Sequence, residues 1–79
     1  MTNTDIFEGL KEVLGTVKPH LDTSTVTMES SLVRDLGIDS LSMLMLSLSI
    51  EMKYGFQFET REPFQTVGEV VEYIANALG

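Results

Sequence analysis

Along residues 4–17, apolar side chains recur at Ile6, Leu10, Val13, Leu14 and Val17, with polar or charged residues between them. That spacing lays one apolar stripe along a helix. Thr4 or Asp5 can cap its start, Glu8 stands three residues after Asp5 as a capping box requires, and Pro19 forbids continuation. A second helical pattern runs over residues 40–54, with Asp39 as its N-cap and Gly55 at its end. Its length is about 20 Å. A third follows Thr66, with Val67, Val70, Val71, Ile74, Ala75 and Leu78 on one face and Glu69 at the capping-box position.

Residues 18–39 follow no single period. Pro19, the polar run Asp22-Thr23-Ser24-Thr25, Ser30-Ser31 and Gly37 mark a loop, yet Leu21, Val26, Met28, Leu32, Val33, Leu36 and Ile38 are spread through it. A connection of about twenty residues is unusual in a compact domain and tends to be functional. Its apolar residues are expected to pin it onto the bundle, with a helical turn over residues 32–36. Residues 60–65 read as a connector with one turn of helix. Phe56-Gln57-Phe58 alternates as a strand would, but a lone strand has no partner. The expected fold is all-α. It is a small bundle of three main helices, with a long loop between helices 1 and 2, as a single domain over residues 1–79.

Composition narrows the functions open to such a bundle. The chain has 79 residues, 12 acidic and 5 basic side chains, one histidine, no cysteine and a net charge of −7. Without cysteine there is no disulfide, thiolate zinc site, iron–sulfur cluster or cysteine nucleophile. A single histidine, His20, leaves little for metal sites or acid–base relays, so no catalytic or metal-ligating residues are expected. Glu69 and Glu72 read as a solvated helix face. Asp35 and Asp39 do not fit a calcium loop. The negative charge argues against nucleic acid as a partner and favours basic ones. The first twelve residues carry acidic groups and no apolar core of a signal peptide. The longest apolar run is Met43-Leu44-Met45-Leu46, so no membrane span is expected, and the cytoplasm is the expected compartment.

The segment Asp35-Leu36-Gly37-Ile38-Asp39-Ser40-Leu41 places a serine in the first turn of helix 2. Asp and Ser are ordinary capping residues, and that alone explains them. The position also has chemistry: four backbone N–H groups lack intrahelical partners there, and the helix dipole favours an attached anion. Ser40 as a hydrolytic nucleophile is excluded by the lack of a base, since His20 lies in a loop and no histidine follows it. Arg34 can meet a phosphate, although a surface ion pair with Asp35 or Glu29 is the ordinary explanation.

Leu36-Gly37-Ile38-Asp39-Ser40-Leu41 resembles the phosphopantetheine attachment block of acyl carrier proteins, whose core is Asp-Ser-Leu at the start of the second helix. The resemblance extends over nearly the whole chain through its length, acidity, long loop, Tyr54-Gly55 and the Thr66-Val67 opening of the last helix. It implies that Ser40 accepts a 4′-phosphopantetheine arm from coenzyme A through a separate phosphopantetheinyl transferase. The arm ends in a thiol that carries acyl groups as thioesters, and the protein is a carrier, not an enzyme. Asp39 would cap the helix and present Ser40, and Leu41 would contact partners beside the arm. Those partners would be acyl-transferring and condensing enzymes of fatty-acid or specialised, polyketide-type synthesis. Leu46, Ile50, Phe64, Val67 and Ile74 would open a cleft for the acyl chain, although the same residues are needed as core. Aminoacyl and peptidyl carriers share the fold and the arm. The rival from another class is an acidic adaptor bundle that binds a partner through helix 2, with Ser40 as a phosphorylation site.

One departure from the family matters. Its members commonly bear several carboxylates along helix 2, and here only Glu51 is acidic, with Lys53 beside it. At about 100° per residue, Met43, Leu46, Ile50 and Tyr54 share one face, and Leu41, Leu44, Met45, Leu48 and Met52 share another. The first face is expected to be buried. The second is a partner surface next to Ser40, unless the loop covers it through Leu32, Val33 and Leu36 or a second copy does. A monomer is expected.

Overall fold

A computed structural model of the chain describes residues 2–59 and 64–79. Three helices appear in order: α1 (Asn3–Val17), α2 (Ser40–Tyr54) and α3 (Val67–Leu78). Among the described residues there is no strand, only an isolated antiparallel bridge between Ser31 and Thr66. The all-α bundle with a long loop is as expected.

α1 packs against both other helices and is the element that joins them. Ile6, Leu10, Val13 and Leu14 carry its buried stripe. Its start corrects the expected cap: the N-cap is Thr2, and the capping box pairs Thr2 with Asp5. Asp5 N–H donates to Thr2 Oγ1 at 3.1 Å, and Thr2 N–H donates back to Asp5 Oδ2 at 3.4 Å. The helix therefore gains a residue at its N-terminal end relative to the expected 4–17. At the other end Lys18 is the C-cap, one residue before Pro19.

α2 and α3 begin where the pattern places them. Asp39 caps α2, with Gly55 closing it in the left-handed region at φ 73°. Thr66 and Glu69 form the capping box of α3.

The long loop contributes four of the buried apolar residues: Val26, Leu32, Leu36 and Ile38. They join the α1 stripe, Leu46 and Ile50 of α2, and Val67, Val70, Val71 and Ile74 of α3 in one core. The loop contains a 3₁₀ turn at Thr23–Thr25, capped by Asp22, where only a polar loop was expected. Over residues 32–36 it makes a hydrogen-bonded turn that does not continue as a helix. The loop is tied to the start of α3 and the residues before it: Leu32 N–H donates to Gln65 O at 2.9 Å, Val67 N–H to Ser30 O at 3.0 Å and Gly68 N–H to Met28 O at 2.8 Å. Of the expected 60–65 connector, residues 60–63 lie outside the described residues, and Phe64 and Gln65 are irregular. No described helix is long and apolar enough to cross a membrane.

Candidate functional site

Ser40 reaches the surface because the residues before it are fixed. Asp35 N–H and Leu36 N–H both donate to Ser31 O, at 3.0 and 3.1 Å, and Ile38 N–H donates to Leu32 O at 2.9 Å. The Asp35 carboxylate closes the turn by accepting from Ser31 N–H at 2.7 Å. Gly37 makes the final reversal at φ 65°, a backbone state that costs a residue with a Cβ about 1 kcal/mol or more. Leu36 and Ile38 on either side of it are buried. Two apolar plugs and a left-handed glycine thus deliver Asp39 and Ser40 to the outer end of the bundle.

Asp39 is extended, and its Oδ1 accepts from Ser42 N–H at 2.8 Å while its carbonyl accepts from Met43 N–H at 2.8 Å. The Ser42 amide is the largest cause holding the Asp39 carboxyl below the usual carboxylate range, and the Lys18 ammonium adds to it. Ser40 is exposed, and its hydroxyl has no hydrogen bond to any described residue. The Ser40 and Leu41 amides also lack acceptors among the described residues, which is the ordinary state of a helix start.

These features fit a phosphate-linked group on Ser40. The hydroxyl is free and open to solvent. The Asp39 carboxylate is turned to Ser42 N–H and engaged there. Two unpaired amides and the dipole of a 15-residue helix favour an anion at this end.

Behind Ser40 lies the second face of α2. Leu41, Leu44, Met45, Leu48 and Met52 are between 45% and 86% exposed. The loop does not cover them: Leu32 and Leu36 turn into the core, and Val33 points outward. The opposite face is buried through Leu46 and Ile50, with Met43 and Tyr54 packed against the core.

The residues expected to form an acyl cleft separate into two groups. Leu46, Ile50, Val67 and Ile74 are closed inside the core, each at most 1% exposed. Phe64 is half-buried in an aromatic cluster with Phe58 and Tyr73, its ring centroid 5.7 Å from the first and 5.5 Å from the second.

Two interactions were not anticipated, one at the site and one at the far end of α2. The Lys18 charge contributes at the Asp39 carboxyl, although Lys18 comes 21 positions earlier in the chain. The long loop between them hides that influence from any local pattern. Tyr54 packs on Gly9 of α1 and donates to Ile6 O at 3.4 Å. Gly9 inside the helical pattern of α1 is the signal that could have found this close approach. Arg34 makes no ion pair among the described residues, and its backbone N–H donates to Ser31 Oγ at 3.1 Å.

Comparison with known proteins agrees with this geometry. A family model described as a phosphopantetheine attachment site matches residues 5–74. The acyl carrier protein of Coprothermobacter proteolyticus is 39% identical over 80 residues, covering 99% of this chain and 96% of that protein. The acyl carrier protein of Clostridium perfringens is 41% identical over 71 residues, covering 87% of this chain and 92% of that one. A meromycolate extension acyl carrier protein of Mycolicibacterium smegmatis is 43% identical over 75 residues, covering 92% of this chain and 75% of its own length.

Proposed function

The chain belongs to the phosphopantetheine-bearing acyl carrier protein family, and from that membership we propose that Ser40 is the residue that takes the arm. The observation that supports this is the free, exposed Ser40 hydroxyl in the first turn of α2, held there by the Asp39 cap. Transfer from coenzyme A forms a bond from Ser40 Oγ to the phosphorus that bears the pantetheine. It breaks the pyrophosphate linkage, releases the adenosine bisphosphate half and gives up the serine proton. The chain offers no base for this step, so the transferase supplies the catalysis. A protein without cysteine then gains a thiol, on which acyl groups ride as thioesters.

The exposed face of α2 is the proposed surface for acyl-transferring and condensing enzymes. Leu41 lies beside the arm, and Leu44, Met45, Leu48 and Met52 continue from it. Methionine suits contacts that must adapt to several partners. α2 carries one carboxylate, Glu51, and that group is engaged by Phe58 N–H at 2.7 Å. Recognition here is apolar more than ionic, which favours a dedicated set of partners in a fatty-acid or specialised acyl pathway. The acyl chain would enter by separating Leu46, Ile50, Phe64, Val67 and Ile74.

Intact mass tests the carrier reading. The purified protein is incubated with coenzyme A and a promiscuous phosphopantetheinyl transferase, with Ser40→Ala in parallel. A gain of one phosphopantetheine, absent in the variant, is expected. No gain from folded protein that starts without the arm overturns the reading and promotes the adaptor bundle.

A further inference from the structure

A cavity of about 380 Å³ opens between the end of α1 and the long loop, lined by Lys18, Pro19, His20, Leu21 and Leu36. Leu36 forms its floor from within the core, and Leu21 is half-buried at its wall. Ser40 is four positions beyond Leu36, so the two backbones are at most about 14 Å apart. Lys18 lines the cavity, and its charge is a minor contributor to lowering the carboxyl of Asp39, the residue before Ser40. The chain carries a net charge of −7, and Lys11 and Lys53 are paired with Glu8 and Glu12. Lys18 makes no ion pair among the described residues. The site therefore combines a cation with an apolar notch, near the serine.

The arm proposed for Ser40 has a matching order of groups. Its phosphodiester comes first and is followed at once by a quaternary carbon bearing two methyl groups. We propose that the cavity lined by Lys18, Pro19, Leu21 and Leu36 is a seat for the proximal, pantoyl part of the arm, with Lys18 facing the phosphodiester and the methyl pair resting on Leu21 and Leu36. Tethering makes the contact intramolecular, so a weak site is filled by effective concentration alone. The seat is distinct from the closed core around Leu46 and Ile74 and holds the arm whatever acyl group it carries. This inference rests on Ser40 being the attachment residue.

The test uses the loaded protein with its methyl groups observed by NMR. Loading is first verified by intact mass. Nuclear Overhauser contacts from the two pantoyl methyls to Leu21 and Leu36 methyls are expected. Lys18→Glu should weaken them about threefold, as loss of one surface charge contact would. Leu21→Ser should weaken them without involving charge, and the amide spectra of both variants establish that they are folded. Loaded protein whose pantoyl methyls contact no protein group, or whose contacts are unchanged in both variants, overturns the seat and leaves the carrier reading standing. A protein that takes no arm overturns both.

Discussion

α2 and α3 pack on the same helix and are both rich in apolar residues, but they use them differently. α3 spans 12 residues and buries Val67, Val70, Val71 and Ile74, leaving Glu69, Glu72 and Asn76 outside. It is an amphipathic helix whose apolar pattern goes into the core except at its last residue, Leu78, which was expected on the stripe and is 40% exposed at the fraying end. α2 spans 15 residues, buries Leu46 and Ile50, and exposes five large apolar side chains. The core does not need those five. An exposed apolar stripe of that length is the feature on which the proposed partner surface rests. α3 therefore puts its apolar residues to folding, whereas α2 divides its own between the core and an exposed face, the one proposed above for partner recognition.

The sharpest way to break this contrast is to truncate matched residues. Ile74→Ala on α3 removes a fully buried side chain and should cost about 2–5 kcal/mol, enough to threaten a domain of this size. The midpoint of urea unfolding reports it. If Ile74→Ala were as mild as a surface change, the closed core would be the wrong description of α3.

A smaller effect is expected at the seam between α1 and the buried face of α2. A Cβ at Gly9 would overlap the Tyr54 hydroxyl. The tyrosine ring is rigid, so Gly9→Ala should destabilise by about 1–3 kcal/mol. Tyr54→Phe removes the obstructing oxygen. In that background Gly9→Ala should cost clearly less, and equal costs in the two backgrounds would show that Tyr54 is not what the glycine accommodates.

On the open face of α2 the signs change. Leu44→Ser and Leu48→Ser should leave stability within about 0.5 kcal/mol, since neither residue is buried. Acyl delivery to a cognate partner should fall about 5–30-fold if either is a central contact. Raising salt from low to high should change delivery by less than about twofold, because there is little charge to screen. A steep salt dependence with unaffected serine variants would move recognition from the stripe to the acidic groups of α1 and the loop.

This division was partly legible in the chain itself. The apolar periods located α2 and α3 to the residue, because Asp39, Gly55 and Thr66 are strong end signals. The start of α1 was misplaced because two boxes compete there. Thr2 with Asp5 and Asp5 with Glu8 have the same spacing, and the actual one closes two residues earlier than the earliest expected cap. The 3₁₀ turn at Thr23–Thr25 depends on Asp22 accepting from Ser24 N–H at 3.1 Å, a bond that any polar run could make or omit. Leu32, Leu36 and Ile38 were readable as anchors of the loop, but which of Leu32, Val33 and Leu36 turned outward was not. That depends on the hydrogen-bonded turn and on the ties of Leu32 to Gln65 and of Ser30 to Val67, which are tertiary. The influence of the Lys18 charge on the Asp39 carboxyl has the same origin.

The finest difference between the two helices lies in their caps and is read by acid. Glu69 Oε2 accepts from Gln65 N–H at 2.6 Å and Thr66 N–H at 2.7 Å, whereas Asp39 accepts from one backbone amide, that of Ser42, whose side chain also helps to lower the carboxyl. The Thr66 and Gln65 amides hold the Glu69 carboxyl below its ordinary value of 4.5. The Ser42 amide holds the Asp39 carboxyl below its ordinary value of 3.8. A lowered folded pKa means that the unfolded chain binds more protons in this range. The caps therefore contribute fully above the ordinary values and are lost as pH falls through them towards the folded ones. The net charge of −7 acts oppositely, since mild acidification relieves self-repulsion. Comparing each variant with the parent across the same pH range removes that shared contribution. Glu69→Gln should flatten the acid limb of stability more than Asp39→Asn does, because it releases two amides rather than one. Equal acid limbs in all three proteins would show that these caps act without their charge, as neutral hydrogen-bond acceptors alone.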